Sequence, residues 1–191
     1  KLLNVEDCIY NKYISNNEIP IEVAANQLIK DNVKILHTIG GDDTNTTAAD
    51  LVTYLKQNNY DLTVVGFPKT IDNDIFPLSQ TLGAFTAAEQ TSLFFQNIVN
   101  ENTTSSRQLI IHEVMGRNCG WLTAYSSHLY MNNLKDRLFF PEVNLDKKKW
   151  EVHAIYIPER KFDLLLESER LIRIMDKYDC VNIFLSEGAG I

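Results

Sequence analysis

At 191 residues, 45% of them hydrophobic, the chain is long enough to bury a core as one large domain or two lobes, and no apolar run approaches the ~18 residues that a membrane span needs. Its 18 basic and 25 acidic residues give a net charge of −7 with no long Lys/Arg block, which argues against a nucleic-acid or anionic-membrane partner and leaves phosphate chemistry to local cations or a metal. Cys8, Cys119 and Cys180 are odd in number, far apart and without a C-x-x-C spacing, so neither a disulfide framework nor a zinc site is indicated, and a reducing cytoplasm is expected.

The first twenty residues, through Pro20, are polar and aperiodic, and with no initiator Met the chain is expected to be cut from something longer. Ile21, Ala24, Ala25, Leu28 and Ile29 recur at helical spacing, which predicts an amphipathic helix over 21–31 leading into a buried strand over 33–39. Gly40-Gly41-Asp42-Asp43-Thr44-Asn45 then forms a loop ahead of a helix over 46–57, whose Ala48, Leu51, Val52 and Leu55 share one face. Two glycines between strand and helix leave N–H groups at a helix N-terminus free to cradle an anion. Asp42 and Asp43 have the wrong charge for a bare phosphate, so at least one of them is expected to bind a cation that carries it. As N-cap candidates, Asp42 to Asn45 have a plainer use.

A charge-free run over 62–67 predicts the next strand, ended by Pro68, which has no N–H for the ladder. Beyond it, Lys69-Thr70-Ile71-Asp72-Asn73-Asp74 set a cation, a hydroxyl and two carboxylates within six positions at the carboxyl end of a strand, where open α/β sheets bind ligands. Hard oxygens suit Mg²⁺, and a carboxylate suits proton abstraction from a hydroxyl. An Asx-rich turn capping a helix is the alternative.

A long helix over 79–100, with Leu82, Phe85, Ala88, Leu93, Phe94 and Ile98, is expected to cross between two lobes. A strand over 109–114 ends in Met115-Gly116-Arg117-Asn118 and is followed by a helix over 119–129. Arg117 offers a bidentate fork to phosphate or carboxylate, although an isolated Arg is commonly a surface ion-pair partner and Met115 a core gap-filler. Runs at 138–140 and 152–157, each followed by Pro-Glu, predict strands; Lys147-Lys148-Lys149 is a solvated turn. A helix over 162–177 precedes a last buried strand over 180–185, which ends in Ser186-Glu187-Gly188-Ala189-Gly190. Taken alone, Glu187 is a solvated loop acid.

Strand and helix alternate throughout, which predicts an α/β fold of Rossmann-like parallel sheets with helices on both faces. Right-handed crossovers put strand carboxyl ends along one sheet edge, so Asp42, Asp72, Asp74, Arg117 and Glu187 can converge on one cleft, expected between two lobes at 1–82 and 83–191. In this order, Gly40-Gly41-Asp42-Asp43-Thr44-Asn45, Pro68-Lys69-Thr70-Ile71-Asp72-Asn73-Asp74, Met115-Gly116-Arg117 and Ser186-Glu187-Gly188 closely resemble the 6-phosphofructokinase family, over most of the chain from about Val33 onward.

The resemblance implies a glycolytic phosphoryl transfer to the 1-hydroxyl of fructose 6-phosphate, with 1–82 in the donor-binding lobe and 83–191 in the fructose-6-phosphate-binding lobe. By motif position, Asp72 is the base, Thr70 contacts the transferring phosphoryl group, Lys69 joins them, and Asp42 and Asp74 serve Mg²⁺. Thr70, Asp72, Met115, Gly116, Arg117 and Glu187 are the implied sugar-phosphate ligands. ATP-using members generally carry Gly at the position of Asp43 and many carry Gly at Lys69. An Asp adds volume and negative charge where the ATP α-phosphate would lie, and Lys69 can hold a small anion. Gly41, Asp43 and Lys69 thus resemble the donor set of the pyrophosphate-dependent branch.

The family's Gly-rich phosphate loop and its later His/Arg sugar-phosphate ligands have no counterpart here, and Gln108 stands where the family has an Arg that reaches a neighbouring subunit's sugar phosphate, with Arg107 one position off. A homo-oligomer is expected of the full-length protein. The competing assignments are an ATP-dependent kinase of the same family and a non-catalytic phosphosugar-binding or regulatory fragment.

Overall fold

Residues 13–15, 17–143 and 145–190 are described by the computed structural model, and the chain divides into two units, Lys1–Thr70 and Ile71–Ile191. Most of the polar N-terminal stretch, including Cys8, lies outside the described residues. No helix among the described residues is long and apolar enough to cross a membrane.

In the first unit, Pro20 opens helix α1 (Pro20–Lys30), where its missing N–H is harmless because the first turn has no intrahelical acceptors for such groups. Strand β1 (Ile35–Gly40), helix α2 (Asp42–Gln57) and strand β2 (Thr63–Pro68) follow. The strands pair in parallel from Ile35↔Thr63 to Gly40↔Pro68, and α2 is the crossover that a parallel pair requires. Ala25 of α1, Leu51 and Leu55 of α2, and Leu62 form a buried core against Leu36 and Val64 of the strands, so both helices pack on one face. Ile35, Ile39, Val65 and Phe67 alternate to the other face and are exposed among the described residues.

The second unit begins with Ile71, which packs against its core. Asn73 takes a left-handed φ of 55°, and its amide oxygen accepts from the Thr81 backbone N–H at 2.8 Å. Residues 73–81 therefore fold back as a loop, and helix α3 (Ala84–Ile98) starts only after Gly83, at φ 94°. The compact-unit division falls at Thr70/Ile71. One expectation is corrected: α3 lies wholly within the second unit, with Ala88 and Phe95 in its core, and does not cross between lobes.

Strand β3 (Gln108–Val114), helix α4 (Trp121–Asn133), strand β4 (Ala154–Tyr156), helix α5 (Leu164–Tyr178) and strand β5 (Cys180–Ser186) complete the unit. The sheet is parallel, in the order β3-β5-β4. Central β5 carries both faces: Phe184 packs with Phe95, Tyr130 and Trp150, while Val181 and Ile183 pack with Leu171, Ile174 and Met175 of α5. The Asp163 carboxylate caps α5 by accepting from the Leu165 and Leu166 N–H groups. The strand expected at 138–140 is absent; Phe140 makes one antiparallel bridge to Leu145, and Pro141, unable to donate to a ladder, starts a 3₁₀ turn, Pro141–Val143. The α/β fold of parallel sheets and helices is thus present in both units, with helices on both faces in the second.

Candidate active site

The β1–β2 register sets the carboxyl ends of the two strands level, so the glycine pair and the residues after Pro68 are neighbours. The Lys69 N–H donates to the Gly40 carbonyl at 2.8 Å, and the Thr70 Cβ lies 3.7 Å from where a Cβ on Gly41 would be. Helix α2 begins at Asp42 with Gly41 as N-cap. Asp42 to Asn45, expected as a loop, are therefore its first turn, because Gly41 already takes the extended conformation that a cap requires. The Asn45 amide donates to the Gly40 and Gly41 carbonyls at 3.1 and 2.7 Å, which pins the glycine pair. Asp42, Asp43 and Lys69 are exposed. The first helical N–H groups lack intrahelical acceptors and favour an anion, but the two carboxylates beside them favour one accompanied by a cation.

In the second unit, β3 and β5 end level at Val114↔Ser186, so Met115-Gly116-Arg117 and Glu187-Gly188 leave the sheet side by side. The Ser186 hydroxyl donates to the Gly116 carbonyl at 2.5 Å, and the Glu187 N–H to the Val114 carbonyl at 3.0 Å. Gly188 admits no side chain, since a Cβ there would lie 1.8 Å from the Arg117 carbonyl oxygen. Arg117 Nε stands 3.9 Å from Glu187 Oε1, with the Arg117 side chain 80% exposed, so most of its fork faces solvent. Met115 is 60% exposed and fills no core gap.

Asp72 and Asp74 flank Asn73, whose amide holds the segment by accepting from Thr81 and donating to the Ser79 carbonyl at 3.2 Å. Asn is one of the few residues that take up its left-handed backbone readily. The Cys119 thiol donates to the Asp72 carbonyl at 3.4 Å. Burial pushes that thiol's pKa up against a backbone hydrogen bond from Trp121 that lowers it, and the carboxylates of Glu159, Asp74 and Asp72 add to the upward push. These acids therefore make a negative field around the sulfur. Among the described residues, no group of three or more His, Cys, Asp or Glu side chains could hold a metal ion. Cys119 and Cys180 form no disulfide.

Arg107 is turned to a local task. Its guanidinium pairs with Asp176 at 2.7 Å and its N–H donates to the Asp179 carboxylate at 2.9 Å, while the Gln108 amide donates to the Ser105 hydroxyl.

The sequence pattern assigns no role to Asn73, Cys119 or Glu159, and to Asn45 only that of an N-cap candidate. Asn45 and Asn73 sat inside singled-out motifs, and Glu159 belonged to a strand-Pro-Glu pattern; the signals were present, but only tertiary contacts show what each side chain reaches.

A family model described as phosphofructokinase matches residues 9–190. The pyrophosphate–fructose 6-phosphate 1-phosphotransferase of Methylomonas methanica is 56% identical over all 191 residues, and the enzyme of the same name from Mastigamoeba balamuthi is 55% identical. In each case the chain spans 47% of the relative's length. The crystal structure of a pyrophosphate-dependent phosphofructokinase from Marinobacter aquaeolei is similar at a TM-score of 0.63 and 26% identity, over 89% of this chain and 40% of that one.

Proposed function

Because this chain belongs to the phosphofructokinase family, we propose that it serves phosphoryl transfer from pyrophosphate to the 1-hydroxyl of fructose 6-phosphate, giving fructose 1,6-bisphosphate and phosphate. The observation that carries the acceptor side is the level ending of β3 and β5, which sets the open Arg117 fork beside Glu187 and the Gly116 turn in the unit that holds Asp72 and Asp74. On the donor side, the support is the 56% identity to a relative named for pyrophosphate, together with Asp43 in the first turn of α2.

In this reaction Asp72 takes the proton of the 1-hydroxyl, the hydroxyl oxygen forms a bond to a pyrophosphate phosphorus, and the bridging P–O bond breaks to release phosphate. Phosphoryl transfer needs positioning and charge neutralisation more than covalent help from the protein. Thr70 contacts the transferring group, Lys69 and Gly41 hold the small polyanionic donor, and Asp43 disfavours a nucleotide. Met115, Gly116, Arg117 and Glu187 hold the sugar phosphate. Mg²⁺ would supply neutralisation of the phosphoryl oxygens, with Asp42 and Asp74 as its ligands. What supports a cation within the second unit is the negative charge of Asp72, Asp74 and Glu159 around Cys119, and Mg²⁺ commonly takes only one or two carboxylates, completing its shell with waters and phosphate oxygens. The proposed functional division, 1–82 with the donor and 83–191 with the sugar phosphate, differs from the compact-unit boundary at Thr70/Ile71 in assigning 71–82 to the donor side.

Titration calorimetry with fructose 6-phosphate, beside a coupled assay run with pyrophosphate and with ATP, tests the assignment. Saturable binding and faster turnover with pyrophosphate are expected. Binding without turnover favours a phosphosugar-binding role, and no binding contradicts the proposal.

A further inference from the structure

We infer that Glu159 is a positioning residue for the sugar-phosphate turn over 116–120, acting through the backbone N–H of Gly120. The role assigned to the turn rests on the function proposed above, whereas the contact itself does not. Glu159 follows β4, whose pairing of Tyr156 with Leu185 carries the chain to the end of the sheet where Ser186 and Glu187 lie. There Glu159 Oε1 accepts from the Gly120 N–H at 2.8 Å. The fit is close: a Cβ on Gly120 would lie 2.4 Å from the Ile157 Cβ and 2.7 Å from Glu159 Oε2.

Gly120 is the N-cap of α4, so the carboxylate also stands at the positive end of that helix. The turn is thereby held at three points: Ser186 grips the Gly116 carbonyl, the Asp72 carbonyl receives the Cys119 thiol, and Glu159 receives the Gly120 N–H. Arg117 sits between the first two points. Of the three bonds, only that of Glu159 is charge-assisted, and such bonds are about twice as strong as neutral ones. Release of Gly120 would loosen the start of α4 and, through Cys119 and Gly116, the aim of the Arg117 fork. A displacement of about 1 Å in a positioning group can cost about a hundredfold in rate.

Three variants separate positioning from charge and from general stability. Glu159→Gln keeps an acceptor oxygen without the charge, Glu159→Leu removes both, and Glu159→Asp keeps the charge but shortens the reach. Fructose 6-phosphate affinity, measured by calorimetry, is expected to fall about tenfold in Glu159→Leu and Glu159→Asp and by a smaller factor, about threefold, in Glu159→Gln, which keeps the acceptor but loses the charge, a tenfold change being about 1.4 kcal/mol. Hydrogen exchange at residues 116–120 is expected to quicken in the first two and less in the third. If Glu159→Leu does not fold, Glu159→Asp carries the test. Wild-type affinity and exchange in a folded Glu159→Leu or Glu159→Asp chain would overturn the positioning role. If the wild-type chain binds no fructose 6-phosphate, the functional reading fails, and the exchange rates alone then decide whether Glu159 holds the turn.

Discussion

The Cys119 thiol donates a hydrogen bond to the backbone carbonyl of Asp72 at 3.4 Å, across 47 positions of sequence. It ties the turn after β3 to the segment that carries the proposed base. A thiol is a weak donor, but the bond is partly buried, and removing it leaves the carbonyl without this partner. Cys119→Ala is expected to lower stability by about 1 kcal/mol and to lower kcat with little change in donor KM. Denaturant melts and steady-state kinetics check this; a variant unchanged in both would show that the tie has no role.

Asp43 and Lys69 are the proposed donor selectors. Two like charges ~4 Å apart cost on the order of 1 kcal/mol in water and several times more where water is scarce, so an Asp in the first turn of α2 discourages the larger nucleotide. Asp43→Gly, alone or with Lys69→Gly, is expected to raise the ratio of kcat/KM for ATP over pyrophosphate by about tenfold or more. The same change removes an acid from the helix N-terminus, for about 0.3–1 kcal/mol of stability. An unaltered donor ratio would refute the selector role.

Arg117 separates binding from stability. Its pairing with Glu187 at 3.9 Å is open to solvent, and such pairs contribute about 0–1 kcal/mol. Arg117→Ala is therefore expected to melt within a few degrees of the wild type while losing fructose 6-phosphate affinity at least about tenfold. Arg117→Lys should not restore it, because an ammonium lacks the planar fork. Calorimetry on both variants decides, and full affinity in Arg117→Ala would remove this residue from the site.

His153 links stability to pH. Burial holds its imidazole below the ordinary 6.5, against the upward pull of Glu151 and of a backbone hydrogen bond to Lys148 and with the smaller push of the Arg170 and Lys148 charges. Its Nδ1 accepts the Asn182 N–H at 2.9 Å, which requires that nitrogen to be unprotonated. The unfolded chain therefore binds a proton at a pH where the folded chain does not. Stability is fully present above about 6.5 and declines as pH falls below it toward the lower folded value. His112 is lowered by burial in the same direction. Urea unfolding at pH 7.5 and 5.5 should give a shallower loss in His153→Gln than in the wild type; equal losses would contradict this account.

The fold class was legible from periodicity and β-branched runs, because strand β5 and the faces of α1, α2 and α5 are built from them. Boundaries failed where a single residue overrode the pattern. Asn73 and Gly83 adopt left-handed backbone and delay α3, and Pro141 prevents a strand that the apolar run at 138–140 predicted. The motif loops were visible as clusters of polar residues after strands. Their bracing was not, since Asn45, Ser186, Cys119 and Glu159 act through contacts with backbone atoms, and a backbone atom leaves no mark in side-chain pattern.

The most direct test of the central claim is kcat for pyrophosphate-driven phosphorylation of fructose 6-phosphate in the wild type and in Asp72→Ser, with folding checked by circular dichroism. Loss of a general base typically costs ~10²–10⁴ in rate, and a fall of that size with native folding and retained sugar-phosphate binding is expected. A folded Asp72→Ser chain with near-native kcat would contradict the assignment of Asp72 as the base.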